Sequence, residues 1–361
     1  MDRYNHSLQP VDTIHKILIS TTSRMVGEYE SDDILITHAW QSMASTSNII
    51  RREENPVSRS GFVVAFQTEP HEKILGSPIP DYSHIGEIIC SYLSVLFGKR
   101  FDCHGLIEGS GSYFMPDLSA YNSICNPKLP FNSHQERGCF KVPLNINNFG
   151  CFERLWSSSD SDLVLQTKLN LACKFYMQAL QNVEHEPEIA YLHLITVGEI
   201  LASAFKYEKE EILDRQMLDY LNIIQLNIDD GEKIAKEISK RLFCIKRGFV
   251  KSLCSLVDAQ FFESRESKIK YGHFKAEGIE RNIGAAYDLR SKYVHTGVPF
   301  GSWIKPRENE SDLQFGRPAV GDRDFSRILE KAPTFLGLER FIRYCLLNFM
   351  VSNGFPEIKN I

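Results

Sequence analysis

The second half of this chain carries a run of long amphipathic segments, and this pattern limits the fold more than any other. Between residues 165 and 351, apolar side chains recur every three or four residues, which is the spacing of one face of an α-helix. Pro187 begins one segment, where its missing backbone N–H does no harm, and Gly297 and Pro299 follow another. The segments cover residues 165–181, 187–205, 229–257, 276–295 and 335–351. Long helices with modest connections predict an all-α, up-and-down bundle of four to five long helices.

The first part of the chain has a mixed pattern. Residues 14–19 and 61–66 are short runs rich in β-branched and aromatic side chains, which is typical of strands. Apolar residues at helical spacing between residues 85 and 97 predict one helix, with Ser83 placed to cap its start and Gly98 placed to end it. We therefore expect α+β structure in this part.

A serine-rich segment at residues 156–160 separates the two patterns. It predicts a domain boundary, with an α+β domain over residues 1–155 and a helical domain over residues 160–361. Residues 1–155 carry no constellation that suggests catalysis, so we expect this domain to sense or regulate.

The overall composition is that of an ordinary globular protein. Of the 361 residues, 43% are hydrophobic and 24% are charged, which argues against disorder over most of the chain. No stretch approaches the roughly 18 apolar residues of a membrane span, and the N-terminus lacks a basic start followed by an apolar core. We therefore expect a cytoplasmic protein with no membrane partner. The nine cysteines are scattered without a Cys-x-x-Cys pair, so neither a disulfide framework nor a metal site is predicted, and no cofactor is expected.

The charge is distributed unevenly, although the net charge of the whole chain is −5. Residues 1–160 hold 13 basic and 18 acidic residues, whereas residues 231–295 hold 14 basic and 8 acidic residues, a local net charge of +6. A basic segment in the helical domain is compatible with a phosphate-bearing ligand, and also with a solvated helix face.

One local sequence in the helical domain could carry chemistry. Residues 285–297 place an arginine, four further residues and a histidine at the end of a predicted helix. Histidine titrates near neutral pH and can transfer a proton, and arginine presents a charged fork that matches phosphate. Arg290 and His295 therefore suit the cleavage of a phosphodiester without a metal. The bare spacing is common by chance, so its weight comes from its place in a helical, basic region.

The sequence around this motif resembles a known family. Residues 286–297, AYDLRSKYVHTG, are similar to the signature of HEPN domains of the Apea-like group, and residues 190–201, AYLHLITVGEIL, are similar to the second helix of that group. The resemblance covers about residues 160–355. It implies a HEPN helical bundle that forms a homodimer, with a metal-independent endoribonuclease site assembled from the Arg-x4-His motifs of two chains.

The resemblance also implies roles and partners. Members of the family are toxins, antiphage defence effectors and RNA-processing factors, so the implied partners are RNA and a regulatory protein or phage-derived trigger. Arg290 would hold the phosphate and His295 would transfer the proton, while Ser291 and Lys292 would position the RNA backbone. Glu199, on an otherwise apolar helix, is either a buried partner or a residue near the site. This chain departs from the family in having Ser291 directly after the arginine, where Asn, Asp or His is common.

Helix geometry bears on whether one chain can form the site. Five residues at about 100° each separate Arg290 and His295 by about 140° around a helix, which favours a site completed by a second chain. The alternative is a catalytically silent HEPN module that dimerises and binds a protein partner or a nucleotide. Arg290 then pairs with an acid such as Glu199, and His295 stabilises the C-terminal end of its helix. A shared, open, positive groove would favour catalysis, and a filled core would favour the silent module.

Overall fold

The structure is a computed structural model of the chain. It describes residues 14–39, 59–68, 81–109, 111–155, 163–213, 215–241, 245–266, 269, 271–307 and 311–356. The predicted domain boundary at residues 156–160 lies outside these ranges. No helix in the described part of the chain is both long and apolar enough to cross a membrane.

The N-terminal part folds as an antiparallel sheet. Its strands are β1 (Ile14–Thr21), β2 (Tyr29–Glu30), β3 (Ile34–His38), β4 (Ser60–Gln67), β5 (Phe101–Gly109) and β6 (Ser112–Tyr113). They lie in the spatial order β2–β3–β4–β1–β5–β6. In the β1–β4 pair Ile17 is opposite Val64 and Ile19 is opposite Phe62, and all four side chains are buried, as suits β-branched and aromatic residues. The strands predicted around residues 14–19 and 61–66 are confirmed.

The next element, α1 (Ser83–Phe97), packs against β1 and β5 and also against the helices that follow. Every residue from Ile89 to Phe97 is buried, so α1 is an interior helix between the sheet and the helical part of the molecule. Gly98 ends it as predicted, because its φ of 59° lets its backbone N–H bond to the carbonyl of Ser94.

The predicted cap at the start of α1 is wrong. The N-cap position is Tyr82, and no side chain caps the helix from there. The carboxylate of Asp81 instead accepts the backbone N–H of Ser83 at 2.8 Å, so an acidic residue just upstream meets this donor.

The rest of the described chain is mainly helical. Its helices are α2 (Leu163–Asn182), α3 (Pro187–Ala202), α4 (Lys209–Ile212), α5 (Arg215–Asn227), α6 (Gly231–Arg241), α7 (Ile245–Ser255), α8 (Ala259–Glu263), α9 (Ile279–Thr296), α10 (Gly301–Ile304), α11 (Arg323–Lys331) and α12 (Phe335–Ser352). The predicted helices at α2, α3, α9 and α12 are confirmed, with Pro187 in the first turn of α3 and a left-handed Gly297 after α9. α3 contacts α2, α7, α9 and α12, so it lies at the centre of this part.

The helix predicted over residues 229–257 differs from the structure. Two helices occupy this region, α6 and α7, and residues 242–244 between them lie outside the described ranges. α6 packs against α5, whereas α7 packs against α3 and α9. The α5–α6 pair has a small apolar cluster of its own, around Leu213, Leu221 and Ala235. The apolar residues keep one helical spacing through both helices, so the sequence alone did not show that α6 and α7 pack against different helices.

One hydrophobic core runs through the sheet, α1 and the helices, from Ile17 to Phe355. Buried polar contacts also join the two parts of the chain: the guanidinium of Arg137 bonds to the carboxylate of Glu339, and that of Arg343 bonds to the carbonyl of Val95 at 2.8 Å. The structure confirms an antiparallel sheet followed by a helical part. The division into domains at residues 1–155 and 160–361, and the HEPN identity of the helices, stay predictions.

Candidate functional site

The candidate site lies on α9, which is held on several sides. Its buried side chains, including Ile283, Ala286 and Leu289, pack toward the core, and the helix contacts α3, α7 and α11. The side-chain amide of Asn282 donates to the carbonyl of Lys331 at the end of α11, at 2.7 Å. α9 is therefore a rigid support for the side chains on its outer surface.

Arg290 lies beside α3 and is half-exposed. Its Nη2 is 3.5 Å from Oε2 of Glu199, and its guanidinium lies 5.7 Å from the centre of the Tyr287 ring. A single contact at 3.5 Å is at the outer limit of a hydrogen bond, so Arg290 is held loosely. Burial raises the pKa of Tyr287, and the nearby charge of Glu199 adds to that rise. The pairing with Glu199 expected for the silent module is therefore present in the single chain.

His295 lies in the last turn of α9 and is exposed. No side chain or backbone group in the described ranges hydrogen-bonds to its ring. Gly297 follows with a φ of 67°, bonds its N–H to the carbonyl of Tyr293, and turns the chain away from the helix axis. The imidazole is thus open to solvent and to any group brought against this end of α9.

The two neighbouring positions behave differently from each other. The ammonium of Lys292 bonds to the carboxylate of Asp322, which also caps the start of α11, and it lies 5.1 Å from the centre of the Phe325 ring. Ser291 is half-buried on the outer part of the helix. Lys292 therefore ties α9 to α11, while Ser291 remains near the surface between the two motif residues.

The single chain does not bring the motif residues together. Arg290 contacts α3, whereas His295 stands at the solvent-facing end of α9, and an ideal helix separates the two directions by about 140°. Neither side chain lies in a filled core. In the described part of the chain the two side chains leave α9 in different directions, so a site that used both would need a further surface.

A cleft of about 650 Å³ crosses α9 on the side away from Arg290. Its walls come from α7, α9, α11 and the short α4, and its lining holds six cationic side chains and three carboxylates. Sequence reasoning did not identify this cleft. The excess of basic residues in 231–295 was a partial signal, but α11, which supplies one wall, was not predicted as a helix.

No three His, Cys, Asp or Glu side chains in the described part of the chain are grouped so that they could hold a metal ion. Comparison with protein-family models, with curated proteins and with solved structures found no match to this chain.

Proposed function

We propose that this protein is a metal-independent endoribonuclease of the HEPN type, with a composite site formed by Arg290 and His295 of two copies of the chain. The observation that carries the proposal is an exposed imidazole at the end of a rigid helix, one and a half turns from a half-exposed guanidinium. Two such ends paired about a two-fold axis place both residue types on one phosphate.

The chemistry uses the 2′-hydroxyl that distinguishes RNA from DNA. His295 of one copy takes the proton of the 2′-hydroxyl, whose oxygen then forms a bond to the adjacent phosphorus. The bond from phosphorus to the 5′-oxygen breaks, the leaving oxygen takes a proton from water, and the protonated imidazole releases its proton to solvent. The products are a 2′,3′-cyclic phosphate on the upstream fragment and a 5′-hydroxyl on the downstream fragment.

Arg290 offsets the charge that grows on the phosphate as these bonds change. A guanidinium binds a phosphate through two parallel hydrogen bonds, which is a stronger arrangement than its single 3.5 Å contact with Glu199. Phosphate can therefore displace Glu199 from Arg290 without breaking any buried contact. Ser291, between the two residues on the helix, then donates a hydrogen bond to the same RNA backbone.

A second candidate function is the catalytically silent module that dimerises and binds a protein partner or a nucleotide. The observation that favours it is the Arg290–Glu199 pair, which gives the arginine a partner in the single chain. In this case Arg290 orders α9 against α3, and His295 interacts with the C-terminal end of the helix dipole.

The experiment is cleavage of single-stranded RNA by the full-length protein in the presence of a chelator, with DNA of the same sequence beside it. We expect RNA to be cut and DNA to be spared, with cyclic phosphate ends on the products. His295→Ala should lower the rate by about 10²–10⁴-fold, since general acid–base catalysis contributes that much. His185→Ala, which changes an exposed histidine outside the site, is the matched control and should cut at the wild-type rate. Equal cleavage rates for both variants would place the reaction away from His295, and no cleavage by the wild type would favour the silent module.

A further inference from the structure

Two cysteine side chains meet where α1 packs on the sheet. Cys90 lies on α1 and is fully buried, whereas Cys103 lies on β5 and is half-buried. The sulfur of Cys103 is 3.9 Å from the carbonyl oxygen of Ser83, in the first turn of α1. Ser83 and Cys90 are about two helical turns apart and therefore lie on one side of the helix. Cys103 thus packs along the side of α1 that carries Cys90.

The close approach of β5 to α1 depends on Gly86. A side-chain carbon at this position would lie 2.8 Å from the sulfur of Cys103 and 2.6 Å from Cγ2 of Ile17, and both distances are too short for non-bonded atoms. Gly86 is one turn before Cys90 and on the same side of the helix. Because Gly86 has no side chain, the sulfur of Cys103 can lie directly against α1 beside Cys90.

The two thiols interact with each other, and the interaction makes them chemically unequal. The contact with Cys90 lowers the pKa of Cys103, although burial opposes this change. Burial raises the pKa of Cys90 well above its usual value, and the contact with Cys103 adds to the rise. Cys103 is therefore the thiol that ionises more readily, while Cys90 keeps its proton. Since the thiolate is the nucleophilic form of cysteine, Cys103 reacts first.

A comparison with Cys254 shows that partial exposure alone does not produce this state. Cys254 on α7 is also half-buried, but burial raises its pKa to about 12. Partial exposure combined with a neighbouring thiol that lowers the pKa is typical of cysteines that react with oxidants. The comparison also makes Cys254 a matched control for Cys103.

We propose that Cys103 and Cys90 form a dithiol site that a hydroperoxide oxidises to a reversible disulfide between β5 and α1. The Cys103 sulfur bonds to one oxygen of the hydroperoxide, the O–O bond breaks, and the departing oxygen takes up the proton that Cys103 gave up. The Cys90 sulfur then bonds to the Cys103 sulfur, the S–O bond breaks, and the hydroxyl leaves as water with the proton of Cys90. The two thiols thus supply two electrons, and hydrogen peroxide is reduced to two molecules of water. This site goes beyond the proposed nuclease function and does not depend on it.

The first test treats the reduced full-length protein with hydrogen peroxide, blocks the remaining thiols by alkylation, and analyses a tryptic digest by mass spectrometry. Trypsin cuts after Lys99 and Arg100, so Cys90 and Cys103 fall on separate peptides, residues 74–99 and 101–128. Fragmentation of the linked peptides distinguishes Cys103 from Cys125, which lies on the same peptide. We expect one link between Cys90 and Cys103 per chain, and dithiothreitol should remove it. Protein in which the two residues stay unlinked, or link to other cysteines, would overturn the proposal.

The second test separates the roles of the two thiols. In Cys90→Ala, Cys103 should stop at the sulfenic acid, which dimedone traps, and should then pass to the sulfinic acid because no partner thiol is present. In Cys103→Ala, Cys90 should stay reduced, because a buried thiol that keeps its proton is not attacked directly. The control Cys254→Ala should form the disulfide as the wild type does. Equal oxidation of Cys90 with and without Cys103 would contradict the order of reaction.

A third measurement needs no oxidant. At pH 7 iodoacetamide should alkylate Cys103 at least tenfold faster than Cys254, because the pKa of the first is lowered and that of the second is raised. Cys90→Ala should slow alkylation at Cys103, since it removes the contact that lowers the pKa. Equal rates at Cys103 and Cys254 in the wild type would contradict the assignment of Cys103 as the reacting thiol. These measurements do not use RNA cleavage, so they stand apart from the test of the nuclease.

Discussion

Two sets of cationic side chains in this molecule differ in how completely they are bonded. Arg137, Arg340 and Arg343 are buried, and each guanidinium meets several acceptors around α12. Arg281 and Arg290 on α9 are exposed or half-exposed, and the second has one contact at 3.5 Å. The donors of the buried set are used within the protein, whereas Arg290 has a single contact and Arg281 has none among the described residues. The difference separates charges that hold the fold from charges that are available to bind.

The buried set also joins the two parts of the chain. Arg137 lies between Glu266 and Glu339, and the hydroxyl of Tyr176 bonds to Glu339 as well. Arg343 bonds only to backbone carbonyls, including those of Val95 and of Cys139 at 3.0 Å. A buried charge is tolerated when such partners replace water, and it becomes destabilising when one partner is removed.

The largest loss of stability should come from removing the N-terminal part of the chain, which supplies one set of partners in this network. A fragment of residues 160–361 lacks the carbonyls that Arg343 uses and the guanidinium that Glu339 uses. It also exposes the apolar surfaces of α2 and α12 that pack on α1. We expect the fragment to aggregate or to show no cooperative thermal transition by circular dichroism. A fragment that unfolds cooperatively near the transition temperature of the full chain would show that the buried contacts across the boundary are dispensable.

Removing one buried charge should have the next largest effect. Arg137→Met leaves Glu266 and Glu339 without their cation, and breaking a buried pair in this way costs about 3–5 kcal/mol. The matched control is Lys174→Met, which removes an exposed pair with Glu87 that also links the two parts of the chain. Exposed pairs contribute less than about 1 kcal/mol. Urea unfolding measures both changes, and similar losses in the two variants would contradict the distinction between buried and exposed charge.

The same network should make stability depend on pH in a defined direction. Burial alone would raise the pKa values of Glu266 and Asp312. The charge of Arg137 outweighs burial at Glu266 and lowers its pKa. At Asp312, His273 and Arg340 outweigh burial and lower the pKa in the same way. The hydrogen bond with Asp312 raises the pKa of His273. The two carboxyl groups contribute fully to the free energy of unfolding above their pKa values in the unfolded chain, about 3.9–4.3. This contribution is lost as the pH drops through their lower pKa values in the folded protein.

The contribution of His273 to stability depends on pH in the opposite direction. It is complete below the unfolded pKa of about 6.5 and is lost as the pH rises through the raised folded value. These groups alone lower the transition temperature on both sides of a range between about pH 4.3 and 6.5. Burial lowers the pKa of Lys99 to about 7, which adds stability as the pH rises above that value, so the histidine contribution is measured against a variant. The difference in transition temperature between the wild type and His273→Gln should stay constant from about pH 4.3 to 6.5 and shrink above that range. A difference that does not change with pH would show that the charge of His273 does not contribute.

The smallest change in stability should come from removing the carboxylate that pairs with Arg290. Glu199→Gln removes the charge that faces Arg290, and because both side chains are partly exposed the stability should change by less than about 1 kcal/mol. RNA cleavage should be retained, since the arginine is then freer to bind phosphate. A hundredfold loss of cleavage with normal stability would instead place Glu199 in the reaction.

The sequence predicted the parts of the fold that local pattern determines. α3 begins at Pro187 and α9 ends at Gly297 as expected, because a proline in the first turn and a left-handed glycine after the last turn are local signals. The split between α6 and α7 was missed, since both helices carry apolar residues at one period while their packing partners differ. α11 was missed within a charged segment, although Asp322 caps it and Phe325 and Leu329 share its buried side.

The candidate site also has features that local sequence predicts and features that depend on long-range packing. Arg290 and His295 could be singled out by spacing and resemblance, and the angle between them follows from helix geometry alone. The cleft could not be predicted, because Arg281 and Lys331 are fifty positions apart and meet only through the packing of α9 against α11. The pairing of Arg137 with Glu339 is hidden for the same reason, since it joins residues 202 positions apart.

The composite site is tested most directly by a mixed dimer of Arg290→Ala and His295→Ala chains, isolated through two different affinity tags. Each variant alone should lose about 10²-fold or more of the RNA cleavage rate. In the mixed dimer one chain keeps its histidine and the other keeps its arginine, so one intact pair is restored across the interface. The account predicts that cleavage returns to roughly half of the wild-type rate, since one of two symmetric arrangements is complete. A mixed dimer as inactive as its parents, or a stable monomer that cuts RNA at the wild-type rate, would contradict it.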